Sequence, residues 1–352
     1  MSTIIREDLE AIAVDSAIEW RKIDNAAILV TGATGLVGSL AVKALAYYNT
    51  EKNGHIKVLA MIRDEEKAYQ VLGHDIEKQG VTFLKGDIRE PLEFAEDVDY
   101  IIHGASVTAS KTMVSYPVET LSIAIDGTKN MLELARKKQV KSMVYISSME
   151  MYGITDPSKE KITEQDLGYI DNLAVRSSYS EGKRVCELLC ACYGSEYQVP
   201  VKIARLAQTF GAGVPKSEGR VFAQFAKSAL AGDDIVLHTK GESFGNYCYT
   251  ADVVRGLFCL LTKGKNKEAY TLVNEETTIQ IKDMAELVAK TFSNGASKVV
   301  FDIPEDAKTF GYAPDVTMHL SGEKARSLGW KPQYGLRQMY ERLTKSWMEE
   351  EE

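Results

Sequence analysis

Short apolar runs alternate along the chain with segments whose apolar residues recur at helical spacing. The runs are Ala27-Ile28-Leu29-Val30, Lys57-Val58-Leu59-Ala60-Met61-Ile62, Val81-Thr82-Phe83-Leu84, Tyr100-Ile101-Ile102-His103, Ser142-Met143-Val144-Tyr145-Ile146 and Val201-Lys202-Ile203-Ala204. They read as strands, and helices are predicted between them over about Leu36 to Tyr47, near Gly127–Lys138 and over about Tyr179–Glu196. This alternation predicts right-handed crossovers and a doubly wound parallel α/β sheet covered on both faces. Beyond Arg205 the pattern loosens. Gly211–Pro215 reads as a loop, Gly219–Leu230 as a helix, and 275–345 as mostly helical with a break at Trp330-Lys331-Pro332. Ahead of the first strand, Leu9, Ile12, Ala13, Ser16, Ala17 and Trp20 recur at helical spacing, so residues 1–25 read as an amphipathic helical extension packed on the body. The expected division is 1–25 as extension, 26–205 with about 246–274 as the main domain, and 206–245 with 275–345 as a smaller C-terminal α/β substrate lobe. The acidic end Glu349–Glu352 is expected to fray.

Composition narrows the function. With 45% apolar and 26% charged residues, the 352-residue chain can bury a sizeable core. Its net charge of −8 and lack of a basic run argue against a nucleic-acid partner. An acidic protein that binds an anionic ligand must gather positive charge locally, in backbone amides and a few Arg or Lys. The N-terminus shows no apolar signal core, and no apolar stretch approaches the ~20 residues of a membrane span. The expectation is a cytoplasmic protein with no membrane partner. Cys186, Cys190, Cys192, Cys248 and Cys259 have neither zinc nor disulfide-framework spacing; they read as free thiols, and no metal site is expected.

The first strand runs into Thr31-Gly32-Ala33-Thr34-Gly35-Leu36-Val37-Gly38 and then a helix. Glycines here allow a tight turn, close backbone approach to a pyrophosphate and close helix–strand packing, with the phosphates on free amides at the positive helix end. Gly32, Thr34, Gly35, Leu36, Val37 and Gly38 are therefore candidate dinucleotide contacts, and the sheet reads as Rossmann-type. The second strand ends Met61-Ile62-Arg63-Asp64, where an acid would hold the adenosine ribose. Arg63 there can pair with a 2′-phosphate, which favours NADP over NAD; otherwise it is a solvated charge balanced by Asp64 and Glu65.

A Tyr-x-x-x-Lys occurs twice. Tyr179 and Lys183 open the helix that follows the Ser142–Ile146 strand, whereas Tyr48 and Lys52 lie at the end of the first helix, remote from the strand tips that bind ligand. Residues four apart share a helix face. An ammonium beside a phenol lowers the phenol pKa, so Tyr179 can remove a hydroxyl proton.

The Gly-x-x-Gly-x-x-Gly spacing, Gly86-Asp87-Ile88, His103-Gly104-Ala105-Ser106, Gly127-Thr128 and Tyr179-x-x-x-Lys183 together resemble the extended short-chain dehydrogenase/reductase superfamily, in its NAD-dependent epimerase/dehydratase branch. The resemblance spans about residues 26–345. It implies that Asp87 and Ile88 hold adenine, that Gly104, Ala105 and Ser106 border the cofactor, and that Gly127 opens a helix. Tyr179 and Lys183 would serve as base and helper, both beside the cofactor. Counting back five from Gly153 assigns the oxygen-polarising hydroxyl to Ser148, with Ser147 as the alternative. The resemblance also implies a homodimer.

Ser148-Met149-Glu150 is similar to the Thr-Ser-Glu of UDP-glucuronate decarboxylases. A 4,6-dehydratase needs an acid where Met149 stands. Arg176 to Arg184, Ala204 to Gly211 and Glu218-Gly219-Arg220-Val221 also resemble decarboxylase segments. The chain departs from them at Ala124 and Gln208, each replacing an Asn, and at Gly245, replacing a diphosphate-binding Arg. Arg176, Gln208, Lys216 and Arg220 remain as candidate contacts to a nucleotide-sugar substrate. The expected activity is an NAD(P)-dependent change at a nucleotide sugar through a 4-keto intermediate, of epimerase, dehydratase or decarboxylase type. The alternatives are an NADPH-dependent reductase of a keto sugar or other carbonyl, and a cofactor-binding sensor without turnover.

Overall fold

The computed structural model describes residues 2–304 and 317–350. The N-terminal extension is two helices, α1 (Thr3–Ala13) and α2 (Trp20–Ile23), not one. Ser2 caps α1, its hydroxyl accepting from Ile5 N at 3.2 Å. The Asp15 carboxylate accepts from Ala17 N at 2.7 Å, and this turn interrupts the helical period that the sequence carries through to Trp20.

Next come β1 (Ala27–Thr31), α3 (Leu36–Glu51), β2 (Lys57–Ile62), α4 (Glu65–Leu72), β3 (Val81–Lys85), β4 (Tyr100–His103), α5 (Ser110–Ser115), α6 (Pro117–Lys138), β5 (Ser142–Ser148), α7 (Ser177–Glu196), β6 (Val201–Leu206) and β7 (Gln208–Phe210). The remainder is α8 (Val221–Ala231), β8 (Ile235–Leu237), β9 (Phe244–Tyr249), α9 (Thr250–Lys263), β10 (Ala269–Leu272), β11 (Asn274–Gln280), α10 (Ile281–Phe292), β12 (Val299–Phe301), α11 (Glu323–Arg326) and α12 (Leu336–Glu349). Seven strands form one parallel sheet in the order β10-β6-β5-β4-β1-β2-β3. The expected Rossmann-type doubly wound α/β architecture is borne out. Strand order reverses between β1 and β4, so a crevice opens at their C-terminal ends, where such sheets bind ligand.

Two expectations about helices change. α6 begins at Pro117, whose fixed φ suits a first helical position, so Gly127 lies inside the helix rather than at its start. A Cβ at Gly127 would stand 2.9 Å from Ile88 Cγ1, so the glycine lets α6 close onto the segment after β3. The region from 275 is not mostly helical: β11 lies antiparallel to β9, which pairs on its other edge with β7, and β12 pairs with β8. The sequence Asn274-Glu275-Glu276-Thr277-Thr278-Ile279-Gln280 carries too few apolar residues to show as a strand. Buried Thr277 Oγ1 fixes it by bonds to Tyr247 O at 2.8 Å and Asn274 O at 2.6 Å. Residues 305–316 of that region lie outside the described residues.

Glu349 does not fray. α12 runs through it, and its carboxylate accepts from Thr3 N at 2.7 Å. Arg342 of α12 donates to Asp8 of α1 at 2.7 Å, and the Tyr249 hydroxyl donates to the same carboxylate at 2.7 Å. A second pair joins Asp15 to Arg255, which also meets Asp252 at 2.7 Å. The extension is thus tied to α9, β9 and α12 by buried charges.

Candidate active site

The glycine-rich turn is built for close approach. Gly32 has φ +70°, and a Cβ there would stand 2.8 Å from Gly104 C, so the turn after β1 touches the turn after β4. A Cβ at Gly38 would collide with the Gly32 carbonyl. Gly35 donates to Gly32 O at 2.9 Å and stands as the N-cap of α3, which leaves the amides at the α3 start, Leu36 and Val37 among them, facing the crevice end. Thr31 Oγ1 accepts from Gly104 N and Ala105 N, both at 3.2 Å, and bonds His103 Nδ1 at 2.7 Å. His103 Nε2 meets Thr128 Oγ1 at 3.3 Å. Burial and the Lys183 charge hold His103 down to about 3, so it is neutral and serves as a hydrogen-bond relay in the turn. Thr31 and His103 were not among the residues singled out; as the last residues of β1 and β4 they brace Gly104 and Ala105. Ser106 donates weakly to Val107 O at 3.4 Å.

Asp87 follows β3. Its carboxylate is held at about 2, first by hydrogen bonds from Arg89, whose Nε donates at 3.0 and 3.1 Å. Arg63, exposed at the end of β2, adds a smaller lowering influence, so the Arg63 and Asp87 ends of the crevice feel each other. Arg89 went unnoticed in the sequence although it stands only two residues from Asp87. Asp64 is engaged as the N-cap of α4, accepting from Lys67 N at 3.0 Å, and does not pair with Arg63.

The proton-transfer candidates gather where β5 ends and α7 begins. Ser148 closes β5, and its hydroxyl accepts from Glu150 N at 3.2 Å. Ser147, the alternative, is turned away: it is buried and donates to Glu187 Oε1 at 2.6 Å. Tyr179 is half-buried and held up to about 12, by burial first and then by the Glu150 charge. Ser148, Arg176 and Arg220 act in the lowering direction.

Lys183 differs from expectation. Its Nζ lies 5.7 Å from the Tyr179 ring centroid and 5.0 Å from that of Tyr145, and it donates to Ile146 O at 2.8 Å. Burial brings it down to about 8. In this arrangement its ammonium is engaged by the strand-end carbonyl, and Tyr179 is raised where a depression was expected. Burial of the phenol outweighs an ammonium engaged by a carbonyl.

Glu150 and Arg176 form an ion pair of 2.8 Å, and the Arg176 guanidinium lies 5.9 Å from the Tyr179 ring. Arg220 precedes α8, paired with Glu218 at 2.7 Å and lying over Phe222 at 5.0 Å, within electrostatic reach of Tyr179. Lys216 is half-buried in the β7–α8 connection. Gln208 stands exposed at the start of β7, opposite Tyr247. At Gly245 the Tyr247 phenol occupies the space a side chain would need, with Cε2 and Cζ 2.5 Å from a built Cβ. A longer side chain at 245 would have to displace that ring. Among the described residues no cluster of metal-ligating side chains is present.

The sequence profile of the NAD dependent epimerase/dehydratase family matches residues 28–274. UDP-glucuronic acid decarboxylase 6 of Arabidopsis thaliana is 32% identical over 320 residues, spanning 89% of this chain and 86% of its own. UDP-glucuronic acid decarboxylase 1 of Xenopus tropicalis is 32% identical over 238 residues, spanning 68% of this chain and 54% of its own. An epimerase structure from Methanothermobacter thermautotrophicus is similar with a TM-score of 0.75 at 25% identity, covering 99% of this chain and 96% of that one. A structure of UDP-glucuronic acid 4-epimerase from Bacillus cereus, in complex with UDP-glucuronic acid and NAD, has a TM-score of 0.73 at 20% identity and covers 91% and 98%, a likeness of fold.

Proposed function

The chain belongs to the NAD dependent epimerase/dehydratase family, and on that premise we propose that it is an NAD(P)-dependent nucleotide-sugar enzyme acting through a 4-keto sugar, with decarboxylation of a nucleotide-linked uronic acid as its leading reaction. The observation that carries this reading is the Glu150–Arg176 ion pair, whose guanidinium lies 5.9 Å from the Tyr179 ring and so brings an acid to the neighbourhood of the candidate base.

The cradle fits a dinucleotide: Gly32 and Gly38 leave no room for a Cβ, and the α3 amides face the crevice. The contacts assigned to it are Gly32, Thr34, Gly35, Leu36, Val37, Gly38, Asp87, Ile88, Gly104, Ala105 and Ser106. When bound, the nicotinamide supplies a hydride acceptor for the sugar carbon. Once its own proton has been lost to solvent, which the positive charge of an oxidised nicotinamide would favour, Tyr179 Oη would take the C4 hydroxyl proton, and Ser148 Oγ would hold the C4 oxygen. Arg176, Arg220, Lys216 and Gln208 bind the nucleotide diphosphate side. From the keto sugar carbon dioxide would depart, Glu150 would relay the proton that C5 takes up in its place, and return of the hydride to C4 would complete the reaction; no acid is needed at Met149.

The cofactor in this reading is NADP, because Arg63 is exposed at the ribose position while Asp64 is consumed as a helix cap. The same feature is what favours the second reading, a net NADPH-dependent reductase. Residues 26–205 with about 246–274 form the cofactor unit and 206–245 with 275–345 the lobe that covers the substrate; pairing of β10 with β6 supports the return of the chain to the large sheet. A homodimer through α6 and α7 is supported by Val118 and Leu188, 78% and 63% exposed on these helices. No described helix is long and apolar enough to cross a membrane, and a cytoplasmic site is in keeping with free thiols at Cys186, Cys190, Cys248 and Cys259, all buried.

The test is a mass-spectrometric screen of UDP-, CDP-, GDP- and dTDP-sugars, with UDP-glucuronic acid first. Loss of carbon dioxide is the expected result, and loss of water would move the reading to dehydration. Sugar change only when NADPH is added and consumed would replace it with the reductase.

A further inference from the structure

Behind the site lies a buried ion pair that the proposed chemistry does not use. Tyr179, Lys183 and Glu187 stand four residues apart on α7 and share one face. Glu187 is paired with Arg205 of β6, which donates from Nε at 3.1 and 3.2 Å and from Nη2 at 2.8 Å. Both side chains are less than a tenth exposed. The same carboxylate accepts from Ser147 Oγ at 2.6 Å. Ser147 and Ser148 are successive residues of β5, so their side chains leave on opposite faces. A bond that holds Ser147 to Glu187 also fixes the backbone from which Ser148 projects at the end of β5.

Arg205 extends the tie. Its Nη1 donates to Glu164 O at 2.7 Å, and its guanidinium lies 4.9 Å from the Tyr152 ring centroid. Tyr152 ends the short 3-10 turn Met149–Tyr152 that carries Glu150, and its hydroxyl meets Thr271 Oγ1 of β10 at 2.7 Å. Replacing a buried pair by apolar groups is often neutral or stabilising, so stability alone is a poor account of why charge is buried here. What the pair supplies and a Leu contact would not is a directional acceptor one residue from Ser148.

Resting on the reading that Ser148 and Tyr179 carry the proton transfer, we propose that Glu187 is a positioning residue: through Ser147 it sets Ser148 Oγ against Tyr179 Oη, and through Arg205 and Tyr152 it sets the turn that bears Glu150. Ser147→Ala removes one hydroxyl and leaves the ion pair whole. With UDP-glucuronic acid as substrate, kcat should fall roughly 10- to 100-fold, the scale of a small misplacement of reacting groups, while KM and cofactor Kd stay unchanged. The double variant Glu187→Met/Arg205→Met, which keeps volume and removes both charges, should melt near the wild-type temperature and lose kcat likewise. A readout free of turnover is the NMR spectrum of protein labelled with 13C at tyrosine Cζ. The Tyr179 resonance, identified by its loss in Tyr179→Phe, should move in both variants. An unmoved resonance, or a kcat that falls only in step with melting temperature, overturns the proposal. Failure of the underlying reading looks different: Tyr179→Phe would keep turnover, whatever Ser147→Ala does.

Discussion

Arg176 donates from Nη2 to Glu150 Oε2 at 2.8 Å, so the acid whose charge acts on Tyr179 is met in an ion pair. Both side chains are two-fifths exposed, and a pair so solvated is worth only about 0–1 kcal/mol. An anionic substrate can therefore draw Arg176 away at little cost, freeing Glu150 for proton work in the same movement. Glu150→Gln isolates that work, because an amide keeps the size and hydrogen bonding but exchanges no proton at neutral pH. Oxidation at C4 should persist and product should slow by ~10²–10⁴-fold, so that a keto sugar lighter by two hydrogens accumulates in the mass spectrum. Equal loss of both stages would make Glu150 a structural carboxylate.

Tyr179→Phe should abolish turnover and leave cofactor affinity within a few-fold, since it removes only the transferable proton. The matched control is Tyr48→Phe. Tyr48 stacks on Trp20 at 4.1 Å with an interplanar angle of 7°, far from the Ser148 group in sequence and role, and its loss should be silent. Steady-state rates of the two variants decide. Retained activity in Tyr179→Phe would remove the base from the mechanism.

The sheet was legible in the sequence because strands such as Ala27–Val30 are apolar throughout and glycines mark the turn after β1, where backbone approaches backbone. The C-terminal region was less so: β11 is a polar strand held by Thr277, and no periodicity announces that. Within the site, spacing identified Tyr179 and Lys183 but not the direction of the phenol's shift, which depends on burial and on Glu150 rather than on the helix neighbour. Ser147 and Ser148 are indistinguishable as letters. Counting back from Gly153 ranks Ser148 first, and in the structure the bond from Ser147 to Glu187 separates the two; Glu187 itself is an ordinary helical glutamate until Arg205 is brought to it.

Arg63→Ala should weaken NADP binding by about 1.5–3 kcal/mol, the range for hydrogen bonds to charged groups, and leave NAD binding nearly unchanged. Arg63 is exposed and Asp64 is committed to Lys67 N, so no internal partner needs rearranging in the variant. Calorimetric titration of both cofactors into both proteins checks this. Equal losses for NAD and NADP would refute a 2′-phosphate contact.

The tie between the extension and the body should respond to acid in an unusual direction. Burial raises the Asp8 carboxyl from 3.8 to about 6, against the lowering influence of Arg342 and the Tyr249 hydroxyl; Asp252 adds to the rise. Glu7 meets the same Arg342 at 3.0 Å and competes for its charge. Between 3.8 and about 6 the folded protein holds a proton at Asp8 that the unfolded chain has released. The stability this group contributes is therefore fully present below the lower value and is lost as pH rises through the upper one. Asp8→Asn keeps the shape and cannot titrate. The melting temperature of the wild type relative to Asp8→Asn should rise as pH falls through that window, while both proteins also lose stability to ordinary carboxylates such as Asp87, held near 2. Comparing the two proteins removes that shared loss. A difference that stays flat with pH, or grows as pH rises, would show that Arg342 keeps Asp8 ionised throughout and that the extension is held by a permanent charge pair.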